Sequence, residues 1–244
     1  MAAAFGIIGY PLSHSFSPAY FSKKFAAQRI DATYNAYPLR TIGEYPALLK
    51  IHSELLGLNV TLPYKETIIS YLDELDDTAR GIGAVNCICI NDGVQKGYNT
   101  DAIGFEKSLL PLLRSHHIEA LILGTGGSSK AVAYALRKLG ISHTKVSRTP
   151  KGNMLGYEQL SVDVMQRHKL IINTTSAGMY PNMNDAPAIP YHLLDKECLL
   201  YDLIYNPAET KFLALGKEHG ATVKNGYEML QLQAEASWEI WNRK

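Results

Sequence analysis

Three polar side chains crowd a short strand end in "LNVTLPYKETI" (58–68): Asn59, Thr61 and Lys65. A strand repeats every two residues, so Asn59 and Thr61 share a face. Pro63 cannot donate to a sheet ladder and ends the pairing. Lys65 then falls where a helix is expected to start, an unfavourable place for a cation against the dipole. The group reads either as one wall of a polar pocket or as solvated decoration, with Lys65 paired to Glu66. "GYPLSHSFSP" (9–18) adds Ser13, His14, Ser15 and Ser17. The hydroxyls of Ser15 and Ser17 are suited to a small anionic or hydroxylated ligand, or they simply cap the next helix; His14 reads as structural. Asp101 in "GYNTDAIGF" is placed as a helix N-cap would be, and Asn86 in "GAVN" as a turn residue.

A second chemistry is written in "LILGTGGSSKAVAYAL". Gly124, Gly126 and Gly127 stand directly between an apolar run and a helix. That context suits a dinucleotide: the glycines allow a tight turn and close approach of a pyrophosphate, and the helix N-terminus supplies N–H groups and a positive dipole end. The spacing departs from strict G-x-G-x-x-G, because Ser129 holds the third position. The following strand ends in "VSRTPK" (146–151) instead of an acid. Arg148, with Ser147, Thr149 and Lys151, favours a 2′-phosphate and so NADP over NAD.

These groups need a scaffold, and the chain is long enough for one. Its 244 residues accommodate two ordinary domains. Hydrophobic residues at 46% and charged residues at 19% fit a soluble globular protein. A net charge of +1 gives no electrostatic case for nucleic acid or a membrane surface. No apolar run reaches the ~18–20 residues of a membrane span. The apolar start lacks a basic region and reads as a first strand rather than a signal peptide. An odd count of three cysteines, with Cys87 and Cys89 on one strand and Cys198 far away, does not look like a disulfide framework and fits a cytoplasmic location. The eight histidines show no metal-ligand spacing, so no metal site is expected.

Strands are expected at 4–9, in "ATYNAYPL", "LGLNVTL" and "AVNCICIND", then at 119–124 and in "HTKVSRT", "KLIINTT", "LLYDLIY" and "ATVKNG". "NDG" (91–93) reads as a hairpin turn. Helices are expected from Ser17 as cap with Pro18 first, at 41–50, 65–75 and 102–114, in "KAVAYALRKLG" and "ETKFLALGKEHG", and in the tail "YEMLQLQAEASWEIW". The alternation implies parallel sheets in an α/β fold, with a boundary near 101.

Taken together, "GYPLSHSFSP", "NVTLPYK", "GAVN", "NTD" (99–101), the glycine loop, "SRT", "YDLIYNP" (201–207) and "GYEMLQLQA" (226–234) resemble, in order, the motifs of the shikimate dehydrogenase family. The resemblance implies two domains. An N-terminal α/β substrate domain, 1–101, is completed by C-terminal helices in 226–244, and 102–225 form a Rossmann-type parallel-sheet domain for NADP. It implies reversible reduction of 3-dehydroshikimate to shikimate with NADPH, a step of aromatic amino-acid biosynthesis. Lys65 and Asp101 are then the catalytic pair. Ser15 and Ser17, helped by Tyr205, hold the substrate carboxylate; Asn59, Thr61, Asn86, Asp101 and Gln233 bind ring hydroxyls and the reacting oxygen. Gly124, Gly126, Gly127, Ser128, Ser147, Arg148 and Thr149 hold NADP, with Gly226 and Met229 against the nicotinamide. Ala177 and Ser147 depart from the family's usual valine and asparagine. A monomer or homodimer is expected. The alternatives are a quinate/shikimate paralogue using NAD and a non-catalytic binding protein on the same fold.

Overall fold

The computed structural model describes residues 3–13 and 15–243, so His14 lies outside the described residues. The chain forms two compact units. One runs to Thr100 and resumes at Ala234; the other is Asp101–Gln233.

The first unit is built on β1 (Ala3–Gly9), α1 (Phe16–Gln28), β2 (Ala32–Pro38), α2 (Tyr45–Ile51), β3 (Leu55–Val60), β4 (Glu74–Leu75), α3 (Asp77–Ile82), β5 (Cys87–Asn91) and β6 (Val94–Tyr98). Its six-stranded sheet has the order β2-β1-β3-β5-β6-β4. β1 is apolar and buried on both faces, as a central strand must be. β2 and β3 flank it in parallel. The parallel arrangement expected from the alternation holds only in part here: β5 runs antiparallel to β3, and to β6 across the hairpin turn expected at 91–93. The cause is local. Asp92 at φ 49° and Gly93 at φ 83° form a two-residue turn of left-handed residues, which reverses the chain too tightly for a crossover.

Two helix expectations in this unit are also corrected. α1 begins at Phe16 with Ser15 as N-cap, so Ser17 lies inside the first turn and is buried. Pro18 is tolerated there because first-turn N–H groups lack intrahelical partners. Residues 65–75 form a 3-10 turn, Thr67–Tyr71, followed by β4. The apolar spacing serves a strand that leaves to pair with β6, and the α-helix starts only at α3, where Asp76 accepts from the Ala79 N–H at 2.8 Å. The helix-dipole argument about Lys65 therefore falls away.

One face of this sheet buries Ile8, Leu58, Val60, Ile68, Val85 and Ile88; an aromatic cluster of Phe5, Phe21, Phe25, Tyr34 and Trp241 forms the other core. A side chain on Gly57 would collide with the Trp241 indole, whose Nε1 donates to the Ile88 carbonyl at 2.9 Å.

The second unit contains α4 (Thr100–Leu109, from Asp101 on), β7 (Glu119–Leu123), α5 (Gly127–Lys138), β8 (Ser142–Val146), α6 (Val162–Arg167), β9 (Leu170–Asn173), β10 (Leu199–Asp202), α7 (Lys211–Glu218), β11 (Thr222–Lys224) and the first turns of α8 (Tyr227–Trp241). The expected helix at 102–114 ends at Leu109 as an α-helix, where Pro111 enters a 3-10 turn. The five strands are ordered β11-β10-β9-β7-β8, every pair parallel. Register brings Leu123, Val146, Asn173 and Asp202 level at the carboxyl ends. The turns that follow those four residues emerge together, at the edge where open parallel sheets bind ligands.

Candidate active site

In the first unit, two motifs distant in sequence become neighbours. The Val60 N–H donates to the Asn86 carbonyl at 2.9 Å, and the Val85 N–H to the Lys65 carbonyl at 2.7 Å. "NVTLPYK" and "GAVN" thus lie side by side, with Lys65 half-buried. Thr61 follows β3, donating its N–H to the Ile8 carbonyl at 2.9 Å and packing over Gly9, where any Cβ would collide with it. Leu62–Pro63 is a cis peptide.

Asn59 and Asn86 are both buried, at 4% and 3% exposure. The Asn86 side chain grips Thr100: its Oδ1 accepts from the Thr100 N–H at 2.6 Å and its Nδ2 donates to Thr100 Oγ1 at 3.0 Å. Ser15 occupies the N-cap with extended backbone and without a side-chain cap bond, while Ser17 faces the Tyr34 phenol.

The second unit gathers the rest. Asp101 lies in the first turn of α4, inside the helix rather than at its cap, where a carboxylate complements the dipole. A Cβ on Gly104 would stand 2.5 Å from the Met229 carbonyl oxygen and 3.0 Å from the Gln233 nitrogen. α4 and α8 can pack this closely because residue 104 is glycine, which relates Asp101 to Met229 and Gln233. Gly226 meets the Leu203–Ile204 backbone, donating its N–H to the Ile204 carbonyl at 3.0 Å. That brings the "GYEMLQLQA" segment to the turn bearing Tyr205, a half-buried phenol whose pKa burial pushes up.

The glycine turn fits a dinucleotide. Gly124 has φ 110°, and a Cβ there would lie 2.7 Å from Thr174 Oγ1. Gly126 caps α5, and a Cβ on it would meet nothing within 4 Å, leaving the helix N-terminus approachable beside Gly127 and Ser128. Ser129 closes the loop from within, donating Oγ–H to the Gly126 carbonyl at 2.7 Å. Just past β8, Ser147 Oγ accepts from the Thr149 N–H at 3.2 Å, and Arg148 and Thr149 are exposed. Burial, then the neighbouring Lys130 and Arg137, hold the Lys145 ammonium below its ordinary value.

Sequence reasoning missed several supporting residues. Asp202 is wholly buried and accepts from Asn173 Nδ2 at 3.0 Å, Ile204 N–H at 3.0 Å and Thr210 Oγ1 at 2.6 Å. Burial pushes its carboxyl up to about 6 against those three hydrogen bonds. Asn173 Oδ1 in turn accepts from the Thr175 N–H and hydroxyl. Gly104, a glycine inside a helical pattern, and Ser237, a hydroxyl on an amphipathic helix, carried some signal; Tyr34 carried none beyond strand alternation.

The five-stranded parallel sheet, its glycine turn and its basic turn define a dinucleotide-binding α/β oxidoreductase with a second, mixed-sheet unit. The family model for the shikimate dehydrogenase substrate-binding domain matches residues 7–88. A shikimate dehydrogenase (NADP(+)) of Methanococcus vannielii is 36% identical over 97% of this chain and 90% of that relative. A solved shikimate dehydrogenase in complex with NADP+ superposes with a TM-score of 0.88 at 32% identity, over 99% of this chain and 90% of that one. The Thermus thermophilus enzyme in complex with NADP(H) and shikimate gives 0.87 at 30%, over 98% and 93%. The chain belongs to the shikimate dehydrogenase family.

Proposed function

We infer that the chain is an NADP-dependent shikimate dehydrogenase, interconverting 3-dehydroshikimate and shikimate in aromatic amino-acid biosynthesis. The observation that carries this reading is the pair of backbone bonds, Val60 to Asn86 and Val85 to Lys65, that sets Asn59, Lys65 and Asn86 around one strand end. Family membership at 36% identity over nearly the full chain supports it.

The first unit is the substrate-binding domain and the second the NADP-binding domain. Ser15, Ser17 and Tyr205 hold the carboxylate. Asn59, Thr61, Asn86, Asp101 and Gln233 hold the hydroxyls and the reacting oxygen. Gly124, Gly126, Gly127, Ser128, Ser147, Arg148 and Thr149 hold the dinucleotide, with Gly226 and Met229 at the nicotinamide. The dinucleotide supplies the hydride when bound. Lys65 stabilises negative charge growing on the ring oxygen and delivers its proton; in reverse, the neutral amine accepts it. Such help is worth typically ~10²–10⁴-fold. Asp101 is the carboxylate that orients the ammonium and binds a hydroxyl.

No helix among the described residues is long and apolar enough to cross a membrane. The protein acts in the cytoplasm as a monomer or homodimer. The test is to mix it with shikimate and NADP and follow absorbance at the reduced-nicotinamide band. No turnover overturns the reaction; preference for NAD overturns the cofactor.

A further inference from the structure

Tyr34 of β2 donates its hydroxyl to Asn59 Oδ1 at 2.7 Å. Asn59 Nδ2 donates to the Asn86 carbonyl at 3.2 Å and to Ser237 Oγ at 2.9 Å. Both amide hydrogens are thereby used by protein acceptors. The amide cannot be flipped, because its oxygen would then face the Asn86 carbonyl, which only accepts. A carbonyl oxygen has two lone pairs, and Tyr34 takes one. What Asn59 still has for a ligand is a single acceptor.

The residues that impose this orientation are themselves fixed. Tyr34 is 6% exposed and Ser237 is fully buried. Ser237 Oγ lies 3.2 Å from Thr100 Oγ1, the hydroxyl gripped by Asn86. Ser17 faces the Tyr34 phenol from α1. Burial holds that phenol far above its ordinary pKa, so it stays a neutral donor. One buried chain therefore links Ser17, Asn59 and Asn86 through Tyr34, Ser237 and Thr100.

We propose that Tyr34 and Ser237 are positioning residues that fix Asn59 as an acceptor-only contact, selecting a substrate that presents a hydroxyl donor there. This rests on the reading of Asn59 as a substrate residue. Neither Tyr34 nor Ser237 touches the reacting atoms.

Tyr34→Phe, Ser237→Ala and Asn59→Ala are compared in shikimate oxidation, with thermal melting as a fold check. Tyr34→Phe and Ser237→Ala should each raise KM for shikimate about tenfold, the scale of one hydrogen bond, with kcat and KM for NADP within about twofold. Shikimate analogues each lacking one non-reacting ring hydroxyl give the second readout. One analogue should bind the wild type about tenfold more weakly, and Tyr34→Phe should add no further loss for it. If Tyr34→Phe does not fold, Ser237→Ala, which removes one oxygen from a helix, decides. The inference is overturned if both variants keep the wild-type KM for shikimate while Asn59→Ala raises it. Equal rises in both KM values, or additive losses with the analogue, overturn it too. An unchanged KM in a folded Asn59→Ala overturns instead the assignment of Asn59 to the substrate.

Discussion

Gly226 sits against Leu203 so closely that any Cβ on it would overlap the Leu203 carbonyl oxygen, while its own N–H bonds Ile204 at 3.0 Å. The contact joins the start of α8 to the turn bearing Tyr205. In Gly226→Ala one backbone must move. Overpacking of this kind costs about 1–3 kcal/mol. The melting temperature should fall and kcat/KM should drop at least about tenfold, since a small misplacement in a site is amplified in rate. Wild-type kinetics in Gly226→Ala would show that the contact does not set the site.

Lys65 is assigned the proton. Lys65→Ala should lower kcat at least ~10²-fold, with shikimate and NADP affinities within a few-fold, because the lost interaction belongs to the transition state. Binding is read by quenching of protein fluorescence and turnover by absorbance. Near-normal turnover removes Lys65 from its role.

Arg148 stands at the exposed turn after β8, close enough to Tyr157 to act on its phenol electrostatically. Arg148→Gln should lower kcat/KM with NADP by about 10²-fold, the scale of a charge-assisted phosphate contact, and leave NAD nearly unaffected. The ratio of the two cofactors is the measurement; an unchanged ratio places the 2′-phosphate elsewhere.

Asp202 titrates near 6 in the fold, against an ordinary 3.8, because burial disfavours its charge. A raised carboxyl pKa means the folded state holds the proton more tightly. Its contribution to stability is fully present below about 4 and lost as pH rises through about 6, a swing on the order of 3 kcal/mol. Asp202→Asn keeps the shape without the titration. Denaturant unfolding of both proteins at several pH values should show the wild type gaining on the variant as pH falls from 7 toward 4. A difference constant across that window would contradict the assignment.

Much of the second unit was legible because its signals are local. A buried β7 ending in glycine and a helix beginning at once can hardly be read otherwise, and "SRT" lies where the end of β8 puts it. The hairpin at 92–93 was equally plain in "NDG". The mixed sheet was not legible from alternation, because strand direction depends on which strand a segment meets. Nor was the 3-10 turn after Lys65: Leu72 and Leu75 carry helical spacing, but a sheet edge was free to take them.

The motif order alone determined the family, and residue types determined the chemistry available: a lysine, carboxylates, amides and an arginine beside a glycine turn. The tertiary structure decided how those groups are used. Asn59 could donate or accept on sequence grounds, and only Tyr34, 25 residues away, and Ser237, 178 residues away, leave it an acceptor. Long-range hydrogen bonds and close backbone approaches such as Gly104 to Met229 depend on how elements pack, and local composition does not encode that.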